Sequence, residues 1–139
     1  MDDKNQGMQG RAGADEGAAG HFQRGVQLAQ MGFPDRAVHE FEEAAWLDPD
    51  NAEIQFNMGT AHLSMGMFEQ AIVNFSNALR LRPDMPDAWG NRAVAHAAIG
   101  DDTRCGQDMA EAARRGGNPE GLATVVDYVK SRRKPSSGR

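Results

Sequence analysis

Three glycines set the frame of this chain: Gly32, Gly66 and Gly100 fall 34 residues apart, twice. Each sits between two stretches of helical periodicity. On the same spacing Ala37 falls over Ala71, Phe41 over Phe75, Ala44 over Ala78 and Ala112, and Pro49 over Pro83. A period of this length means a repeating supersecondary unit rather than one irregular core. Glycine accepts the left-handed conformation that ends a helix, and proline suits the first turn of the next. Each unit therefore reads as two helices joined by a tight turn.

The apolar residues give the helix bounds. Phe22, Val26 and Ala29 recur at three- and four-residue steps from Ala18 to Met31. Pro34 to Leu47 follows, with Ala37, Val38, Phe41, Ala44 and Ala45 on one stripe. Helices are then expected over Ala52–Met65, Phe68–Leu81, Pro86–Ile99 and Asp102–Arg115. Asp48-Pro49 and Arg82-Pro83 end the second helix of the first two units, because a residue before proline is pushed out of helical geometry. In the third unit Cys105, Met109 and Gly117 replace the alanine, phenylalanine and proline. A last helix, Pro119–Arg132, is opened by Asn118 as cap and places Leu122, Val125, Val126 and Val129 on one stripe. Residues 1–17, rich in glycine with little apolar surface, are expected to be disordered, as is the basic tail 133–139.

The pattern Met58-Gly59-x-x-His62, Ala71-x-x-x-Phe75, Pro83 resembles the tetratricopeptide repeat (TPR). The resemblance implies an all-α fold, an α-solenoid with TPR units at 18–51, 52–85 and 86–119, the third degenerate. Residues 120–132 would be the helix that caps the bare apolar face of such an array. It implies further that first helices line a concave face, and that an asparagine there can hold the backbone of an extended peptide. Carried onto this chain, the groove residues would be Phe22, Gln23 and Val26 in the first unit, Glu53, Phe56, Asn57 and Thr60 in the second, and Asp87, Gly90, Asn91 and Val94 in the third. A carboxamide offers a peptide unit both donors and an acceptor, or is satisfied within its own repeat. Phe22 and Phe56 are expected as groove anchors rather than core, since Phe41 and Phe75 already fill the interior. Gly90 would leave a gap opposite a bulky partner side chain. Glu53 and Asp87 favour a ligand with Lys or Arg. Some members of the family grip a C-terminal carboxylate of heat-shock proteins with basic residues and asparagines. Here Asn57 matches that pattern, whereas Phe22, Val26, Asp87 and Asn91 depart from it, and Asp87 would repel a carboxylate.

Chemistry is thin elsewhere. His21, His39, His62 and His96 include no pair at metal-ligand spacing, and Cys105 has no second cysteine. His62 and His96, one repeat apart, stand where the family often packs a tyrosine, and are expected to pack likewise. No phosphate loop is present, because the N-terminal glycines lack a GK[ST] ending. The expectation is no enzyme, no cofactor and no metal. The net charge of −5 includes five basic residues within 130–139, so the rest of the chain carries about −10 and lacks the basic footprint of a nucleic-acid groove. With no run of about 18 apolar residues and an N-terminus lacking an apolar stretch, neither membrane nor export is expected. The single cysteine fits a reducing compartment, and the reading is cytoplasmic. Two roles follow: an adaptor for a protein or peptide with apolar anchors and a basic residue, or a chaperone-type subunit acting through self-association or docking.

Overall fold

The computed structural model describes residues 17–133, and every regular element among them is an α-helix. They are α1 (17–30), α2 (Pro34–Leu47), α3 (Ala52–Ser64), α4 (Phe68–Leu81), α5 (Pro86–Ala98), α6 (Asp102–Arg114) and α7 (Pro119–Arg132). Gly17, expected in the disordered arm, opens α1 instead; the arm before it and the tail after residue 133 lie outside the described residues.

α3, α5 and α6 stop one residue short of the sequence expectation, for one reason. Met65, Ile99 and Arg115 are C-caps, each preceding a glycine of positive φ. At Gly66, φ is 74°, and the flanking bonds are Gly66 N–H to Leu63 C=O (3.0 Å) and Met67 N–H to His62 C=O (2.9 Å). These are the paired bonds of a Schellman ending, which satisfy two otherwise orphaned carbonyls. Gly32, Gly100 and Gly116 close α1, α5 and α6 the same way. Helix starts are capped by Asn51, Asp101 and Asn118, whose side-chain oxygens accept from Ile54, Arg104 and Gly121 N–H.

Each helix packs on the next, and α3, α5 and α7 also touch in succession. The core is therefore a chain of three clusters. Phe41, Ile54 and Met58 centre the first, Phe75 and Leu79 the second, and Ala97, Cys105 and Val126 the third. Close approach of the paired helices depends on small residues. A Cβ built at Gly59 would stand 2.7 Å from Phe75 Cε1, and one at Gly25 would stand 2.5 Å from Phe41 Cε1. The third unit has Ala93 in that register, with Met109 where the others have phenylalanine. A flexible thioether makes room for the methyl group that a rigid ring excludes.

The period reaches further than the three pairs. Leu122, Val126 and Val129 stand 34 residues after Ala88, Arg92 and Ala95, so α7 is in the register of a first helix, with no second helix after it among the described residues. It is polar where such a helix would pack. Asp127 is in register with buried Gly59 and Ala93, and Lys130 with buried His62 and His96. At the other end Gly20, Arg24 and Gln27 occupy the register of Ile54, Met58 and Ala61. Apolar positions inside the array are thus small or polar at its described ends, as a finite stack requires.

A polar column runs through the units as well. Glu40, Asn74 and Asp108, one repeat apart, each reach from a second helix to the first helix of their pair. Glu40 accepts from His21 Nδ1 (2.7 Å) and Arg24 Nε (3.4 Å), and these contacts, the His21 hydrogen bond foremost, lower its pKa. Asn74 Oδ1 accepts from His62 Nδ1 at 2.7 Å while its amide reaches Gln55 and Met58 Sδ. Asp108, 4% exposed, takes a bidentate pair from Arg92 at 2.8 and 2.9 Å. His62 is thus a hydrogen-bonded member of this column, a role beyond the packing expected for it.

Candidate functional site

Six of the eleven sequence-selected residues gather in the first turns of α3 and α5. Glu53, Phe56 and Asn57 from α3 face Met85, Pro86 and Asp87 across a recess of about 420 Å³, with Arg82 and Asp84 on its edge. Asp87, Gly90 and Asn91 continue into a second recess of about 200 Å³, whose far wall is Gly121, Leu122 and Val125 of α7. Pro86 and Asp87 line both, so the two adjoin. The linker that frames the first is held by Trp89, whose Nε1 donates to Pro83 C=O at 2.8 Å while Arg92 and Arg115 stack over its ring. Such cation–π contacts fix the indole and with it the loop. Sequence reasoning passed over Trp89, and its only trace was a lone tryptophan six residues after Pro83.

Acid outweighs base in the first recess, where Glu53, Asp84 and Asp87 meet only Arg82. Asp87 also lies in the first turn of α5, where the helix dipole favours an anion. Asn57 Nδ2 donates to Glu53 C=O at 2.9 Å, which leaves its Oδ1 and second N–H for another group. Thr60 Oγ1 donates to Phe56 C=O at 3.0 Å. Asn91 is half-buried beside Gly90.

Two expectations change. Phe22 and Phe56 are not free anchors: both are half-buried, tilted on Phe41 and Phe75 at 5.9 and 5.8 Å between ring centres. Glycine at 25 and 59 brings the helices close enough for these rings to meet, so the aromatic pairs belong to the core edge as well as to the surface. The gap at Gly90 is also narrower than expected, because Leu122 comes within 3.6 Å of where a Cβ would stand. Phe22, Gln23, Val26, Thr60 and Val94 line neither recess. Arg133, placed by sequence in the free tail, donates instead to Ala97 C=O and pairs with Asp102.

A third recess, of about 290 Å³, opens between α4, α5 and α6 beside the polar column, with Ser76, Arg92, His96 and Asp108 among its walls. His96 Nδ1 is buried with no hydrogen-bond partner among the described residues. Burial lowers the His96 pKa and outweighs Asp108, 3.7 Å from its Nε2, since Arg92 already takes both carboxylate oxygens. The unfolded chain therefore takes up a proton near the ordinary histidine value of about 6.5 that the folded chain refuses. Stability is expected to fall as pH drops from about 7 to 5, and His96→Gln to flatten that dependence in urea titrations. An unchanged pH slope in the variant would contradict this. Burial likewise raises the Cys105 pKa, in keeping with a packing role. Among the described residues no three His, Cys, Asp or Glu side chains are placed to hold a metal ion, and no helix is long and apolar enough to cross a membrane.

Comparison with known proteins accords with this architecture. The tetratricopeptide repeat family model matches residues 52–85. The second TPR domain of human RPAP3, solved with an HSP70 peptide, superposes with a TM-score of 0.77 at 23% identity, covering 85% of this chain and 98% of that one. The TPR domain of Arabidopsis OM64 gives 0.78 at 18% identity, covering 86% and 99%. The TPR2B domain of yeast Sti1, in a complex with pHsp70, gives 0.76 at 17%, covering 85% and 99%. No curated protein matches. Residues 52–85 thus match the tetratricopeptide repeat, and the chain has the all-helical solenoid fold of the solved TPR domains.

Proposed function

We propose that this chain is a non-catalytic interaction module that binds a peptide or protein segment along the adjoining recesses of α3, α5 and α7. The observation that carries the reading is the continuity of those recesses through Pro86 and Asp87, which lines up Glu53, Phe56, Asn57, Asp87, Gly90 and Asn91. Asn57 and Asn91 would hold the segment's backbone, Phe56 and Leu122 would meet its apolar side chains, and Glu53 with Asp87 would select Lys or Arg. Structural neighbours that carry HSP70 peptides support the general mode. The acidic lining argues for a basic ligand over a terminal carboxylate at this place.

The test is peptide-display selection on the purified chain, run beside an Asn57→Ala/Asn91→Ala variant. The wild type is expected to enrich peptides with spaced apolar residues and a basic one. The variant should bind them about tenfold more weakly with unchanged helicity, the scale of one or two lost net hydrogen bonds. Identical selections from both proteins, or none from the wild type, would overturn the reading.

A further inference from the structure

α7 carries a contrast that a plain cap does not need. In the registers that face a second helix in the other units it is polar, at Asp127 and at Lys130, whose ammonium lies 3.8 Å from Asp102. Of its groove registers, Gly121 and Thr124 carry little apolar surface, but two others are apolar and open. Val125 follows Asn57 and Asn91 in register, and Tyr128 follows Thr60 and Val94. They are 47% and 64% exposed. A helix selected only for solubility would put polar residues at these places too. Tyr128 and Val129 also border an apolar recess of about 240 Å³ with Phe68 and Ala98, rimmed by Arg132 and Arg133. Arg133 is engaged by Asp102, whereas Arg132 is exposed and in register with Ser64 and Ala98.

The recesses thus differ in sign. The one at the start of α5 holds Glu53, Asp84 and Asp87, and the one at its end is apolar under arginine. From Asp87 to Ala98 the helix rises about 16 Å, the span of about five extended residues. We propose that α7 is part of the reading surface, and that the ligand is a two-signed peptide. Its Lys or Arg sits at Glu53 and Asp87. About five residues away, an apolar side chain next to an Asp or Glu sits at Tyr128 and Arg132. This rests on the peptide-binding reading above and adds the ligand's polarity and length. Opposed charges at the two ends fix register and exclude reversed binding, the use for which charge complementarity is best suited.

The experiment is a random nine-residue display selection on the full chain, with Arg132→Glu, Tyr128→Ala and Asp87→Lys variants in parallel. All three positions are exposed, and circular dichroism checks the fold. The wild type is expected to enrich peptides with a basic residue about five places from an apolar–acidic pair. Arg132→Glu should lose the acidic preference and keep the basic one, weakening the best synthetic peptide at least tenfold. Tyr128→Ala should lose the apolar neighbour, and Asp87→Lys should lose only the basic residue. If the α7 variants select the wild-type consensus while Asp87→Lys does not, the role of α7 is overturned and peptide binding at the start of α5 stands. If the wild type enriches nothing, both readings fail.

Discussion

Replacing Gly59 with alanine is expected to destabilise the chain by about 2 kcal/mol, although alanine is the better helix former by about 1 kcal/mol. The new methyl group would lie 2.7 and 2.8 Å from Phe75 Cε1 and Cδ1, and that ring is fully buried with nowhere to turn. Steric overlap wins over propensity here because close packing leaves no slack. The third unit shows the remedy, Ala93 with Met109. Phe75→Met alone should cost about 1–2 kcal/mol, from lost ring contacts. The double variant Gly59→Ala/Phe75→Met should then be at least about 1 kcal/mol more stable than the two single costs predict. Urea unfolding followed by far-UV circular dichroism measures all four proteins. Strict additivity would mean that the glycine is not there for the ring.

The second large effect lies in the polar column. Arg92→Met removes both hydrogen bonds to Asp108 and leaves a 4%-exposed carboxylate without its cation, a change expected to cost about 3 kcal/mol. The middle unit solves the same packing problem without charge, placing Met58 and Asn74 in the corresponding registers, with the Asn74 amide 3.6 Å from the Met58 sulfur. Arg92→Met/Asp108→Asn transplants that solution and is expected to recover at least about 1 kcal/mol of that cost, the remaining loss coming from the Ser76 hydrogen bond and the Trp89 stacking that Arg92 also makes. Equal losses in the single and double variants would show that the third unit depends on its ion pair in a way the second does not.

Much of this architecture is legible in sequence, because a repeat tests each inference more than once. Pro34–Leu47, Phe68–Leu81 and Pro119–Arg132 have the ends their prolines and apolar stripes imply. Burial of Phe41 and Phe75 follows from the same stripes. The polar column was harder to see. Glu40, Asn74 and Asp108 differ in charge and lie among apolar residues, so composition hides them, yet their 34-residue spacing was available as a signal. Aromatic contacts are harder to read for another reason: whether Phe22 and Phe56 face solvent depends on how closely two helices approach, and that distance is set by Gly25 and Gly59, one turn on along the same face. The groove residues follow from the TPR resemblance carried onto the 34-residue register. Register says which side chains share a face, but not that Leu122 would advance on Gly90 or that Trp89 would pin the linker beside Glu53.

Asp127 and Lys130 of α7 bear on what a further layer of such an array would cost. A solenoid grows like a one-dimensional crystal, in which each layer templates the next, and nothing in the geometry of α7 itself forbids another layer. What opposes it is chemical: a further helix laid there would strip water from Asp127 and crowd Lys130, which already reaches Asp102 of α6 at 3.8 Å. The cost of a next layer is therefore written at two positions rather than in the fold, as an impurity adsorbed on a crystal face slows that face alone.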